Sequence, residues 1–345
     1  MGQRGFWDEE QRIQKLQDKK PVLVLLSAQI PWDTFLPLLD RGYSQERKSN
    51  AGRKRIDPLI LFKMLVLQQL FNLSDEELEF QVNDRRSFED FVGLGVMNSI
   101  PDATTVAFFR ERLRHAGVIE ELFELFDQHL RAQGYEARGG QIIDATLVPV
   151  PKQRNTQKEN ETIKKGGIPE EWLEQPKRLQ QKDTDARWTK KNGINHYGYK
   201  NSISVDVEHG FIRRYIVTSA SVHDSQMLPA LLDPTNDSNS LWGDSAFAGL
   251  IYRAFLETAG YQSHIHEKGT RNHPLSVDAK ARNSMRSKTR ARVEHVFGQL
   301  VMTMKGKYTR LIGINRISAW WGLRNFAFNF PLFIHKEQQQ SDLLD

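Results

Sequence analysis

Apolar positions in the first third of the chain recur at the helical period, and those after Gly139 alternate at the strand period. Asp57-Pro58 opens a strongly apolar helix over 57–71, with Pro58 suited to a first turn whose N–H groups lack helical partners anyway. Ser74 followed by Glu77 is a capping-box arrangement for a helix through Leu78 and Val82. Gly93 and Gly95 mark a stop. Pro101-Asp102 then starts a helix carrying Val106, Phe109 and Leu113, with Arg110, Arg112 and Arg114 on its other faces. Helical pairs joined by short turns suit either a helix-turn-helix reader or a bundle used for dimerisation.

Beyond Gly139-Gly140 the short β-branched run IIDATLV reads as a buried strand closed by Pro149 and Pro151. Residues 197–207 alternate, Glu208-His209-Gly210 turns the chain, and residues 211–218 pair back as a hairpin. A short helix over 224–232, a strand ending at Asp244, a helix over 247–259, a strand near 261–266 and a last long helix complete the order βββαβαβα. That order resembles the ribonuclease-H-like core, a mixed sheet flanked by helices. The chain is therefore read as α/β. An all-helical N-terminal domain at 1–135 precedes a ribonuclease-H-like mixed-sheet core at 136–335, with an insertion at about 152–196 and a polar tail at 336–345. The insertion is too long for an ordinary loop.

The last helix of that core is readable from Ser287 to about Met304, because Val293, Val296, Phe297, Leu300, Val301 and Met304 form one apolar stripe. Glu294 flanks the stripe. Arg290 lies one turn before it, and Lys305 returns to nearly the same azimuth three turns later. Taken alone, Arg290 and Glu294 read as a solvated i, i+4 pair worth only about 0.2 to 0.5 kcal/mol. Two further acids change that reading: Asp144 sits inside a buried strand and Asp244 at a strand's C-terminal end.

Composition narrows the class. The 345 residues contain no cysteine, which excludes disulfides, thiolate metal ligands and a cysteine nucleophile and fits a reducing cytoplasm. No run reaches the roughly 18 to 20 apolar residues of a membrane span. The apolar stretch 21–28 imitates a signal peptide but lacks a cleavage site. Net charge is +5, yet residues 271–316 alone hold eleven Lys/Arg against two acids, so the basic charge gathers around Glu294. A second basic segment, 152–200, interleaves twelve Lys/Arg with Trp172, Trp188, His196, Tyr197 and Tyr199. It reads either as a solvated polar loop or as a surface for phosphate contact and base stacking.

Asp144, Asp244 and Glu294 on separate elements are the ligand set that two-metal phosphoryl transfer needs. Hard divalent cations take oxygen ligands, and a pair of Mg²⁺ ions about 3.5 to 4 Å apart activates water and neutralises the attacking and leaving oxygens. Asp144 would bridge, Asp244 would serve one metal and Glu294 the other, with Mn²⁺ able to substitute. Lys200, Arg290 and Lys305 are the expected contacts to a DNA backbone.

The ordered motifs IIDAT at 142–146, HYGYKNSISVD at 196–206, ASVHDS at 220–225, GDSAF at 243–247, RARVEHVFG at 290–298 and GLRNFAFN at 322–329 resemble those of bacterial insertion-sequence DDE transposases, in the group named after insertion sequence five. The resemblance covers nearly the whole chain. It implies excision and strand transfer of a mobile element, Asp144, Asp244 and Glu294 as the acidic triad, terminal inverted repeats and target DNA as partners, and a homo-oligomer, expected as a dimer, in the bacterial cytoplasm with the nucleoid. Where the wider superfamily usually shows a Tyr and a Lys around the Glu, this chain has Ser287 and Val301. Lys305 or Lys307 is the expected replacement for that Lys.

Competing readings remain open. His223-Asp224 is formally a metal pair of the HD phosphohydrolase type, but no further ligands are spaced for it; the two residues otherwise cap the following helix or support the site from behind. Asp206 is either a fourth acid or a turn-flanking aspartate. A nuclease that cuts without joining, and a DNA-binding regulator without catalysis, share most of these features.

Overall fold

The computed structural model describes residues 15, 21–43, 55–95, 99–191, 193–270 and 272–343. These fall into two compact units, one drawn from 1–126 and 326–345, the other from 127–325. Both divisions fall within helices.

The first unit is helical: α1 (Pro21–Gln29), α2 (Leu36–Tyr43), α3 (Pro58–Phe71), α4 (Asp75–Asp84), α5 (Arg86–Val92), α6 (Ala103–His115) and most of α7 (Val118–Ala132). Local chemistry sets the ends. Asp57 accepts from Leu59 N at 2.8 Å and Ser74 from Glu77 N at 3.1 Å. Asp102 accepts from Thr105 N at 2.6 Å. Each such cap is worth about 1 kcal/mol. The core is aromatic, with Phe126 edge-on to Phe330 at 4.7 Å and Phe35 edge-on to Phe326 at 5.7 Å. The stretch 21–28 contributes Leu23 and Leu26 to this core. Among the described residues no single helix is long and apolar enough to cross a membrane. Arg110 departs from its expected outward face. It is buried and grips Asp75 with both guanidinium nitrogens, at 2.8 and 2.9 Å, because the carboxylate and Gln68 supply the acceptors that its burial requires.

The second unit is a six-stranded mixed sheet, and its topology is the ribonuclease-H-like one. Strand β1 (Gln141–Pro149) lies at its centre, antiparallel to β3 (Ile194–Asp206) and parallel to β5 (Ser240–Gly243). Beyond β5 runs parallel β6 (Gln262–Ile265). Along the far edge of β3 lie β4 (Ile212–Ser219) and, further up, β2 (Arg187–Lys191). The turn into β1 needs glycine: Gly140 has φ +92°, and a Cβ there would meet Ser240 O at 2.4 Å.

Around the sheet lie α11 (Leu228–Leu231), α12 (Leu250–Thr258), α13 (Val277–Gly298) and the start of α14 (Ile314–Asp342), which continues into the first unit and carries the expected polar tail as helix to Asp342. Register assigns the faces, since directly paired residues project to the same side. Asp144 and Thr146 share a face with Ile203 and Asn201, and α13 packs against β1 and β5 there. Ile143 looks the other way, into a cluster with Leu228, Leu231, Leu241, Phe247 and Leu256.

The insertion is structured. It contains α8 (Gln157–Lys164), α9 (Glu170–Leu173), α10 (Pro176–Leu179) and β2, which extends the sheet. Glu159 organises it, accepting from Thr156 N at 2.7 Å, Trp172 Nε1 at 2.7 Å and Arg178 at 2.8 Å. Trp172 is buried against Glu159, Tyr199 is buried with its hydroxyl on Asp183 at 2.6 Å, Tyr197 is buried as well, and among these aromatics Trp188 is the exposed one, at 49%.

Candidate active site

Parallel pairing of β1 with β5 ends at Ile143 opposite Gly243, so Asp144 and Asp244 occupy the next position on neighbouring strands. At Asp244 the strand stops, and its carboxylate accepts from Ala246 N at 2.8 Å to cap a 3-10 turn over Ser245–Phe247. Asp144 lies deeper. Its Oδ1 accepts from Ala145 N at 2.7 Å and its Oδ2 from Arg290 Nη1 at 2.9 Å. Burial pushes its carboxyl up, and the Asp244 charge adds to that against the opposing pull of Ala145 N–H, Arg290 and Lys191, leaving the group at about 6.

Glu294 comes from α13, one turn beyond Arg290, whose second nitrogen it binds. Arg290 thus links Asp144 to Glu294. Two of the three predicted acids, Asp144 and Glu294, bind one guanidinium and Asp244 lies beside Asp144, though among the described residues no three acidic or histidine groups stand close enough to hold a metal as they are. In donor chemistry the set fits a hard divalent cation: it is all carboxylate oxygen, drawn from the central strand, the end of its parallel neighbour and a helix, and a cation already joins two of its members.

The expected helix around Glu294 forms and begins at Val277, ten residues before the expected start at Ser287, capped by Ser276 at 3.1 Å from Ala279 N. Val293, Val296, Leu300 and Met304 are buried as the stripe requires. Its end is different. A π-helical turn over Gln299–Thr303 widens the last turn, and Lys305 follows in the left-handed conformation with φ 52°. Lys305 therefore leaves the helix and does not share the face of Glu294; counting 3.6 residues per turn fails where i→i+5 bonding intervenes.

Lys200 pairs with Leu147, so it projects from the opposite face to Asp144. Its ammonium is engaged by Val222 O at 2.8 Å and Asp224 at 2.7 Å. His223 caps the 3-10 turn Asp224–Met227 through Nδ1, which meets Ser225 Oγ at 2.8 Å, and that turn packs against the turn carrying Asp244. Asp206 is no part of the site. It is fully buried, accepting from His209 N at 2.6 Å, Phe211 N at 3.1 Å and Arg213 at 3.0 Å, as a turn-flanking aspartate does.

Two residues near the acids escaped the sequence reading. Lys191, at the tip of the β2–β3 hairpin, acts on Asp144 through its charge and on Lys307, which burial and that charge hold below the usual lysine value. His266 follows β6, donates its N–H to Gly243 O at 3.1 Å and approaches Ser287 Oγ at 3.3 Å; burial and Arg290 lower its imidazole against the pull of Asp244. Only its place at a strand end could have flagged it.

Residues 136–330 match the family described as "Transposase DDE domain", and residues 11–112 match "Transposase domain (DUF772)". The chain is 30% identical over 223 residues to the transposase for insertion sequence element IS1106 of Neisseria meningitidis serogroup B, a match spanning 64% of this chain and 75% of that protein. Among solved structures, the piggyBac transposase synaptic complex with hairpin DNA aligns at TM-score 0.48 and 13% identity, over 94% of this chain and 76% of that one. The chain belongs to the bacterial insertion-sequence DDE transposases.

Proposed function

We propose that this transposase binds the terminal inverted repeats of a mobile element, cuts phosphodiester bonds at the element ends and joins the freed 3′-hydroxyls to target DNA. The observation that carries the reading is the side-by-side placement of Asp144 and Asp244 on neighbouring parallel strands, below the helix that bears Glu294. Carboxylates so arranged repel one another unless a cation lies among them. Asp144, Asp244 and Glu294 would hold two Mg²⁺ ions, or Mn²⁺ in their place. When bound, such ions supply an acidified water and neutralise charge on the attacking and leaving oxygens.

The chain's own groups do the rest. Asp144 is oriented by Ala145 N–H and shielded from bulk water, and Asp244 is locked by its turn. The Lys200–Asp224 pair and His223 brace that turn from behind, a positioning role in place of the direct DNA contact expected for Lys200. Arg290 binds two of the acids, Lys191 acts on Asp144 and Lys307 through its charge, and these three with Lys305 suit contact with the DNA backbone. Exposed Trp188, with Tyr197 at 5.2 Å and Lys152 Nζ at 5.5 Å from its ring, suits stacking on an unpaired base. The working form would be a homo-oligomer, most simply a dimer, acting on DNA in the bacterial cytoplasm.

Purified protein with Mg²⁺ and labelled DNA carrying the element's ends, together with a supercoiled target, tests the reading. Joined products support it; cleavage without joining leaves a nuclease, and binding without cleavage leaves a regulator.

A further inference from the structure

We infer that Arg290 competes with a divalent ion for Asp144 and Glu294, its guanidinium opposing metal binding at these two carboxylates. The inference rests on the metal-binding reading above and adds to it a residue that competes with the metal.

Arg290 Nη1 donates to Asp144 Oδ2 at 2.9 Å, and Nη2 donates to Glu294. Its Nε is buried without a hydrogen-bond partner, and its side chain is 20% exposed. A guanidinium normally finds partners for its whole fork, so this one is held by the two carboxylates at the expense of its third nitrogen. The oxygens it occupies belong to two of the three proposed ligands. A carboxylate can accept from a guanidinium and hold a metal at once, but a divalent ion on these two carboxylates would lie beside the guanidinium, and two cations packed together in a partly desolvated site repel. The guanidinium therefore opposes metal binding for as long as it holds both carboxylates.

The fold permits that exchange cheaply. Arg290 and Glu294 are one turn apart on α13, in helix that continues to Gly298, so a side-chain rotation suffices and no backbone moves. The freed guanidinium stays on the strongly basic 271–316 segment. Arg290 thus neutralises Asp144 and Glu294 where it binds them, and acts on the metal through these carboxylates as a positioning residue.

The test is Mn²⁺ binding without DNA, by calorimetry and by electron paramagnetic resonance, on the native chain, Arg290→Gln, Arg290→Lys and Asp144→Asn. Arg290→Gln should bind Mn²⁺ at least tenfold more tightly than native, and Arg290→Lys, which keeps the charge without the guanidinium fork, should fall between. In EDTA, Arg290→Gln should melt below native and recover on adding Mn²⁺. A merely structural arginine would give the opposite order of affinities. Equal or weaker Mn²⁺ binding by Arg290→Gln, with binding abolished in Asp144→Asn, overturns the competition while leaving the metal site intact. No Mn²⁺ binding by any of the four chains overturns the metal reading itself. Should Arg290→Gln fail to fold, Arg290→Lys against native decides.

Discussion

Asn201 and Asn325 exchange two hydrogen bonds, at 2.9 and 3.0 Å, although 124 residues separate them and both are fully buried. Asn201 lies on β3 opposite Thr146, on the sheet face that carries Asp144, and Asn325 lies on α14. The reciprocal amide pair satisfies side chains that burial would otherwise leave unpaired, and it fixes the start of α14 beneath the acid-bearing face. Replacing one partner strands the other. Asn325→Leu should cost about 2 to 3 kcal/mol, and Asn201→Val added to it should recover part of the loss, because removing both polar groups is cheaper than removing one. Urea denaturation of the single and double variants measures this.

Arg110 and Asp75 set the acid limit of the helical unit. Burial pushes the Asp75 carboxyl up, but the hydrogen bond and charge of Arg110, with Gln68, outweigh it and hold the group below its ordinary 3.8. A carboxyl whose value is depressed by folding stabilises the folded state above the unfolded value, and that stabilisation is lost as pH falls through the folded value. Melting temperature should therefore fall in the native chain as pH drops below about 3.8. Asp75→Asn should start less stable at pH 7 and lose less on acidification. Arg110→Met should cost about 3 kcal/mol at neutral pH by leaving Asp75 part-buried without its partner.

Gly140 is a steric prediction. With φ +92° and Ser240 O 2.4 Å from the site of an added Cβ, Gly140→Ala forces β1 away from β5. The expected cost exceeds about 1 to 3 kcal/mol, the range for strained backbone alone, and displacement of Asp144 from Asp244 should reduce Mn²⁺ binding along with the melting temperature.

Trp188, Lys191 and Lys307 separate DNA binding from stability. Trp188 is half exposed, so Trp188→Ala should leave melting nearly unchanged while weakening binding to element-end DNA by about tenfold, within the range of one lost stacking contact. Lys191→Ala with Lys307→Ala should reduce the salt dependence of binding by about two phosphate contacts. An unaltered salt slope in fluorescence anisotropy would remove these lysines from the DNA path.

Much of this arrangement was legible in the sequence because short-range chemistry dictates it. The caps at Asp57, Ser74 and Asp102, the hairpin turn at Gly210 and the buried stripe through Val293 and Leu300 all follow from local spacing. The order of strands was enough to bring Asp144 beside Asp244. Long-range choices were not legible. Nothing local says that Arg110 turns inward to Asp75, that Lys200 faces away from Asp144, or that a π-turn ejects Lys305 from the helix. The insertion read as a basic aromatic loop, yet burial of Trp172 against Glu159 makes it a small folded layer. Lys191 gains its place near Asp144 only from the hairpin that this layer supports.

The central claim is that Asp144, Asp244 and Glu294 carry metal-dependent DNA chemistry. Its most direct test is one assay on four chains: native, Asp144→Asn, Asp244→Asn and Glu294→Gln, each with Mg²⁺ and labelled element-end DNA, scored for binding, end cleavage and joining to target. The expected result is that all four bind, the native chain cleaves and joins, and each variant loses both activities by at least a hundredfold, about 2.7 kcal/mol in the barrier. Cleavage that persists in any of the three variants would contradict the account.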